Sequence, residues 1–165
     1  MKKLLFIALL CIAACSVNTG EAQTTTFILL RHAEKESDGT QDPPLTSAGY
    51  ARAGKIAQML RETEVQAIYS TKYKRTGLTV APLAKVKGLA VEQYEAFKAE
   101  EIERMIEKHR GGTIVVSGHS NNIPWIANLL AGGEQIKEYN ESDYDNMLIV
   151  SVTGKGNAKV TCLEY

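Results

Sequence analysis

Three short stretches carry side chains that could do chemistry, and each follows an apolar run. Arg31-His32-Ala33-Glu34 comes directly after Phe27 to Leu30, and Ser117-Gly118-His119-Ser120 directly after Ile114 to Val116. Ser70 to Thr79, with Arg75 between Lys74 and Thr76, follows Val65 to Tyr69. One histidine at the end of an apolar run is ordinarily structural, but two of them together with two arginines ask for a common explanation. Imidazole titrates near neutral pH and can act as a nucleophile. A guanidinium offers paired donors that match the oxygens of a phosphate. Arg75 stands where a helix should begin, and a helix start adds free N–H groups and the positive end of the dipole. Lys72 and Lys74 read as a solvated basic helix start.

These residues need elements to position them. Downstream of Thr26, apolar runs alternate with helical spacing. Phe27 to Leu30 reads as a strand, and Ala53, Ile56, Ala57 and Leu60 as the buried face of a helix behind a Thr46 N-cap. A strand at Val65 to Tyr69, a helix around Lys74 to Ala84, a strand near Leu89 to Gln93 and a helix carrying Ile102, Met105 and Ile106 follow. Next come a strand at Thr113 to Val116 and a helix with Ile123, Ile126, Ala127 and Leu130, where Pro124 is tolerated in the first turn. Met147 to Val152 and Ala158 to Leu163, joined by Gly154 to Asn157, read as a hairpin. Alternation of this kind predicts an α/β fold of three layers, α/β/α, with a mostly parallel sheet and an antiparallel C-terminal hairpin. In such sheets ligands bind beyond the carboxyl ends of the strands, where both histidines and Arg75 fall.

The same residues resemble the histidine phosphatase superfamily, whose fold is phosphoglycerate mutase-like. Arg31-His32-Ala33 matches two positions of its R-H-G motif. Ser70, Arg75 and Thr79 match S-x(4)-R-x(3)-T, Leu45-Thr46 with Gly49 matches L-T-x-x-G, and Gly118-His119-Ser120 matches the late G-H motif. The resemblance implies His32 as nucleophile, with Arg31, Arg75, His119 and Ser120 around the phosphate, and neither metal nor other cofactor. Its substrate would be a phosphorylated small molecule or a phosphoprotein. The family often places an acidic residue after its third strand, which implies Glu95 as the proton donor. Glu92 and the group Glu141, Asp143 and Asp145 compete for that role. Ala33 replaces the motif's glycine, the mildest substitution possible.

Short connections leave little material for a lid, which favours hydrolysis over mutase chemistry. A phosphate-binding envelope lipoprotein without turnover is the rival from another class. A purely structural protein would leave the basic residues at three strand ends unexplained.

The remaining features bear on where the protein works. Lys2 and Lys3 precede an apolar run from Leu4 to Ala14, too short to span a bilayer and of signal-peptide length. Its ending, Ile12-Ala13-Ala14-Cys15, resembles a lipobox, so residues 1–15 are expected to be a signal peptide with Cys15 as lipidation site. Cleavage after Gly20-Glu21-Ala22 is the alternative, and both predict export. Residues 16–25 read as a polar tether and 26–165 as the domain. The expected location is the envelope, facing the periplasm or the cell surface, with contact to the membrane through the lipid. Cys162 alone remains in the domain, with buried strand packing as its expected role. Lysines and arginines number 19, as do aspartates and glutamates, so no global field recruits nucleic acid and any anion site must be local.

Overall fold

The computed structural model describes residues 23–154 and 156–165. The expected signal peptide, Cys15 and tether residues 16–22 lie outside the described residues. Six strands form one sheet in the order β3-β2-β4-β1-β5-β6. They are β1 (Thr25–Arg31), β2 (Ala67–Ser70), β3 (Val91–Gln93), β4 (Thr113–Gly118), β5 (Asn146–Gly154) and β6 (Asn157–Glu164). The β1–β4, β4–β2 and β2–β3 pairs are parallel, whereas β5 runs antiparallel to both β1 and β6. The mixed α/β fold with its C-terminal hairpin is thus the one the alternation predicts.

Alternation within strands explains why both faces are covered. In β1, Phe27 and Leu29 point into a cluster with Ile102, Met105, Ile123 and Ile126. Ile28 and Leu30 point the other way, against Ile56, Leu60, Val80 and Leu83. Helices α3 (Ala99–Lys108) and α4 (Asn122–Ala131) therefore cover one face, and α1 (Ser47–Met59) and α2 (Lys74–Lys87) the other. Phe27, Leu29 and Leu30 are fully buried, and truncating such a phenylalanine to alanine costs about 3–5 kcal/mol.

Helix α1 begins as expected, with the Thr46 side chain accepting from Gly49 N–H at 3.1 Å. Cys162 departs from expectation: it is a free, exposed thiol. Its strand β6 lies at the sheet edge and pairs only with β5, so most of its side chains face solvent.

Candidate active site

Strand register brings the singled-out residues together. Arg31 and Gly118 are partners across the parallel β1–β4 pair, so the next residues, His32 and His119, leave the sheet side by side. His32 N–H donates to the Gly118 carbonyl at 2.8 Å, and the two rings meet edge-on with centroids 5.5 Å apart. Ser70 of β2 is level with Ser117 of β4, so Thr71 emerges beside the histidines.

Two glycines keep this junction tight. A Cβ at Gly118 would stand 2.5 Å from Asn122 Oδ1 and 2.8 Å from the Tyr94 hydroxyl. That space lets Asn122 Oδ1 accept from His119 N–H at 2.6 Å while its Nδ2 donates to Tyr94 Oη at 2.7 Å. A Cβ at Gly49 would stand 2.3 Å from the Glu34 carbonyl, which instead receives Thr46 N–H at 2.9 Å. The Leu45-Thr46-x-x-Gly49 element therefore clamps the loop that follows His32. Ala33 fits without strain: it is buried, and packs with Leu45, Ala53 and Leu78.

His32 is buried, with Nδ1 2.8 Å from the Ala33 carbonyl. A carbonyl only accepts, so Nδ1 carries the proton and the lone pair sits on Nε2. Burial first, and then the charges of Arg31 and Arg75, push its pKa down to about 4, against the helping Ala33 hydrogen bond. His119 is likewise lowered to about 4 by burial and by Arg75. Its Nδ1 faces Arg75 Nη2 at 3.5 Å and its Nε2 faces Thr71 Oγ1 at 3.0 Å. Because the guanidinium only donates, the His119 proton lies on Nε2. A hydroxyl chain continues from Thr71 Oγ1 to Thr76 Oγ1 at 2.9 Å, and from Thr76 to the Tyr73 carbonyl at 2.8 Å.

The two arginines are held differently. Arg75 lies over the Tyr73 ring at 4.4 Å, and Asp42 takes the neighbouring Lys74 N–H at 2.8 Å at the helix start. Arg31 is fully buried. Its Nη1 donates to the carbonyls of Asn140 (2.6 Å) and Asp143 (2.9 Å), and its Nη2 to that of Glu141 (3.2 Å). The Tyr144 ring stacks beneath it at 4.4 Å. Among the described residues, Arg31 Nε and Arg75 Nε are buried donors with no protein acceptor. Leaving a buried charged donor unpaired is unfavourable by about 1–3 kcal/mol or more, and of the two arginines Arg75 lines the cleft while Arg31 lies behind it.

An open cleft of about 1000 Å³ unites His32, Arg75, His119 and Ser120. Ser120 hydrogen-bonds Glu141 at 3.4 Å. Glu95 stands on the cleft wall, away from the buried group: it is exposed, and Lys98 pairs with it at 2.5 Å and lowers its pKa. That setting favours the carboxylate, whereas a proton donor needs the acid form. Glu92 is bound to Lys108 at 2.8 Å and does not line the cleft. A smaller cavity of about 330 Å³ opens at the other end of the sheet, near Thr25 and Val152, and contains no histidine.

Sequence reasoning missed Thr71, Tyr73, Asn122, Tyr144 and the 140–143 carbonyls. Thr71 and Tyr73 flank Arg75 within the same motif segment and were open to notice. The carbonyls carry no residue-type signal.

Fold and site define a phosphoglycerate mutase-like α/β protein with two histidines and two arginines at adjoining strand ends. Residues 27–101 match the model of the Histidine phosphatase superfamily (branch 1), a stretch containing Arg31, His32 and Arg75. That match covers 75 of the chain's 165 residues, a little under half. Phosphoserine phosphatase 1 from Hydrogenobacter thermophilus (strain DSM 6534 / IAM 12695 / TK-6) is 40% identical over 71 residues, 39% of this chain. The aligned stretch spans about a third (34%) of that relative's length. The protein histidine phosphatase SixA, solved with tungstate, superposes with a TM-score of 0.69 at 16% identity, covering 84% of this chain and 96% of that one. A mutant phosphoserine phosphatase from Entamoeba histolytica, solved with phosphoserine, gives 0.62 at 16% identity over 83% and 95%. At these identities the structures speak for the fold.

Proposed function

We propose that the chain is a metal-independent phosphatase that hydrolyses phosphomonoesters or phosphorylated protein side chains through a phosphohistidine on His32. The observation that carries this reading is the His32 ring, neutral near pH 7, with its proton held by the Ala33 carbonyl and its Nε2 lone pair available beside two guanidiniums. In the first step Nε2 attacks phosphorus, the N–P bond forms and the P–O bond breaks, its electron pair leaving on the substrate oxygen. The Ala33 carbonyl steadies the positive charge the ring acquires. In the second step the oxygen of water bonds to phosphorus as the N–P bond breaks and its pair returns to Nε2; inorganic phosphate leaves, and the proton that water loses passes to solvent.

Arg75, which lines the cleft, and Arg31, fully buried behind His32, are the electrostatic partners of the phosphoryl group. His119 holds Arg75 through Nδ1, and Ser120 adds a hydroxyl at the rim. The relatives' names point to phosphoserine and to phosphohistidine in proteins as compounds to try first. We also propose that the protein acts at the cell envelope, anchored through Cys15, on the strength of the lipobox-like sequence.

The test is phosphate release from aryl phosphates, phosphoserine and phosphopeptides by the purified chain with chelator present. Turnover lost in His32→Ala supports the reading. Phosphate binding without turnover in the wild type would favour the non-catalytic alternative.

A further inference from the structure

Phe97 is the one non-glycine residue with positive φ among the described residues, at +60°. Glycine adopts that conformation freely, while a bulky side chain resists it, and such outliers concentrate at functional sites. The turn after β3 nevertheless carries a phenylalanine there, a residue 51% exposed on the wall of the cleft that holds His32. Trp125 of α4 backs it edge-on, with centroids 5.5 Å apart. The other aromatic side chains on the cleft wall are engaged. Tyr73 is covered by Arg75 and packed against His119, and Tyr94 is buried on Asn122. Phe97 alone presents an open apolar face to whatever is attached to the phosphoryl group.

The acidic residues of the cleft bear on the same question. Glu95 pairs with Lys98, Glu101 with Arg104, and Glu141 with Arg31. Each carboxylate on the wall is thus paired with a cation, and for Glu95 the Lys98 contact favours the ionised form. A leaving group that departs readily as an anion, as a phenolate does, suits such a site better than an alkoxide.

Resting on the phosphatase reading above, we infer that Phe97, buttressed by Trp125, is the leaving-group subsite and takes a flat aromatic group bonded to the phosphoryl oxygen. The cleft, about 1000 Å³ and open, accepts either a free aryl phosphate or a phosphorylated aromatic side chain.

Calorimetric titration of the full chain with non-hydrolysable methylphosphonate and benzylphosphonate tests this without turnover. Benzylphosphonate should bind roughly three- to tenfold more tightly, the range an aromatic contact supplies. Phe97→Gly should abolish that preference, leave methylphosphonate binding unchanged, and melt no lower than wild type because the strain is gone. Equal binding of the two ligands by wild type, or a preference that survives Phe97→Gly, would overturn the subsite while leaving the phosphate site intact. Failure to bind either ligand would overturn the phosphatase reading and this one with it. A peptide bearing phosphonomethyl-phenylalanine separates the sources: tighter binding than benzylphosphonate marks a protein side chain, weaker binding a small molecule, and both keep the subsite.

Discussion

The Thr79 hydroxyl accepts from the Ala33 N–H at 2.9 Å and donates to the Arg75 carbonyl at 2.7 Å, so one oxygen ties the loop after His32 to the helix that carries Arg75. Thr79 is fully buried. Thr79→Val keeps the shape and leaves the Ala33 N–H without an acceptor, which should cost about 1–3 kcal/mol in urea unfolding. Turnover should fall as well, because His32 and Arg75 lose their shared tether. Thr79→Ser should restore most of both, and a valine variant with wild-type stability and rate would refute the role.

The depressed pKa of His32 sets the expected pH profile. Its unprotonated form attacks, so kcat/KM should stay level from neutral pH down toward 5 and drop as pH falls through about 4. A midpoint near 6.5, the unperturbed value, would mean that the ring is not desolvated as described.

Stability should follow the same groups. His32 and His119 bind protons less readily folded than unfolded, so between pH 6.5 and about 4 the unfolded chain takes up more protons. Their effect on stability is therefore constant above pH 6.5 and turns against the fold as pH decreases through that window. Urea midpoints at pH 7 and pH 5 should differ by less in a His32→Ala, His119→Ala double variant than in wild type. An equal difference would place the acid sensitivity elsewhere.

Much of the site is legible in the sequence. The run Phe27 to Leu30 ends at an Arg-His pair, and Ile114 to Val116 at Gly118-His119, so both histidines could be assigned to strand ends. Their adjacency depends on β1 pairing with β4, a long-range choice that spacing along the chain does not encode. The anchoring of Arg31 by the Asn140, Glu141 and Asp143 carbonyls was hidden because every residue type carries a carbonyl. Phe97 was hidden for a similar reason: its significance lies in a backbone angle. Cys162 is exposed despite its apolar run because β6 is an edge strand, and edge position depends on the sheet order and not on the run itself.

Glu95 offers a clean kinetic distinction. Held ionised by Lys98, it should contribute little as an acid, so Glu95→Gln should leave the ratio of alkyl to aryl phosphate turnover unchanged. Selective slowing of the alkyl substrate would instead identify Glu95 as the proton donor implied by the family resemblance.

Membrane attachment is tested by Cys15→Ser expressed in a lipoprotein-processing bacterium. The variant should lose labelled fatty acid and leave the membrane fraction, since stable anchoring takes more than one acyl chain. Equal label in both proteins would exclude Cys15 as the site.

The central claim is a covalent bond between His32 Nε2 and phosphorus. Rapid acid quenching during turnover of a phosphorus-labelled substrate, followed by neutralisation and peptide mapping, tests it directly. Label is expected on the peptide containing His32, stable to base and labile to acid, and none in His32→Ala. Label on another residue, or full turnover by His32→Ala, would contradict it.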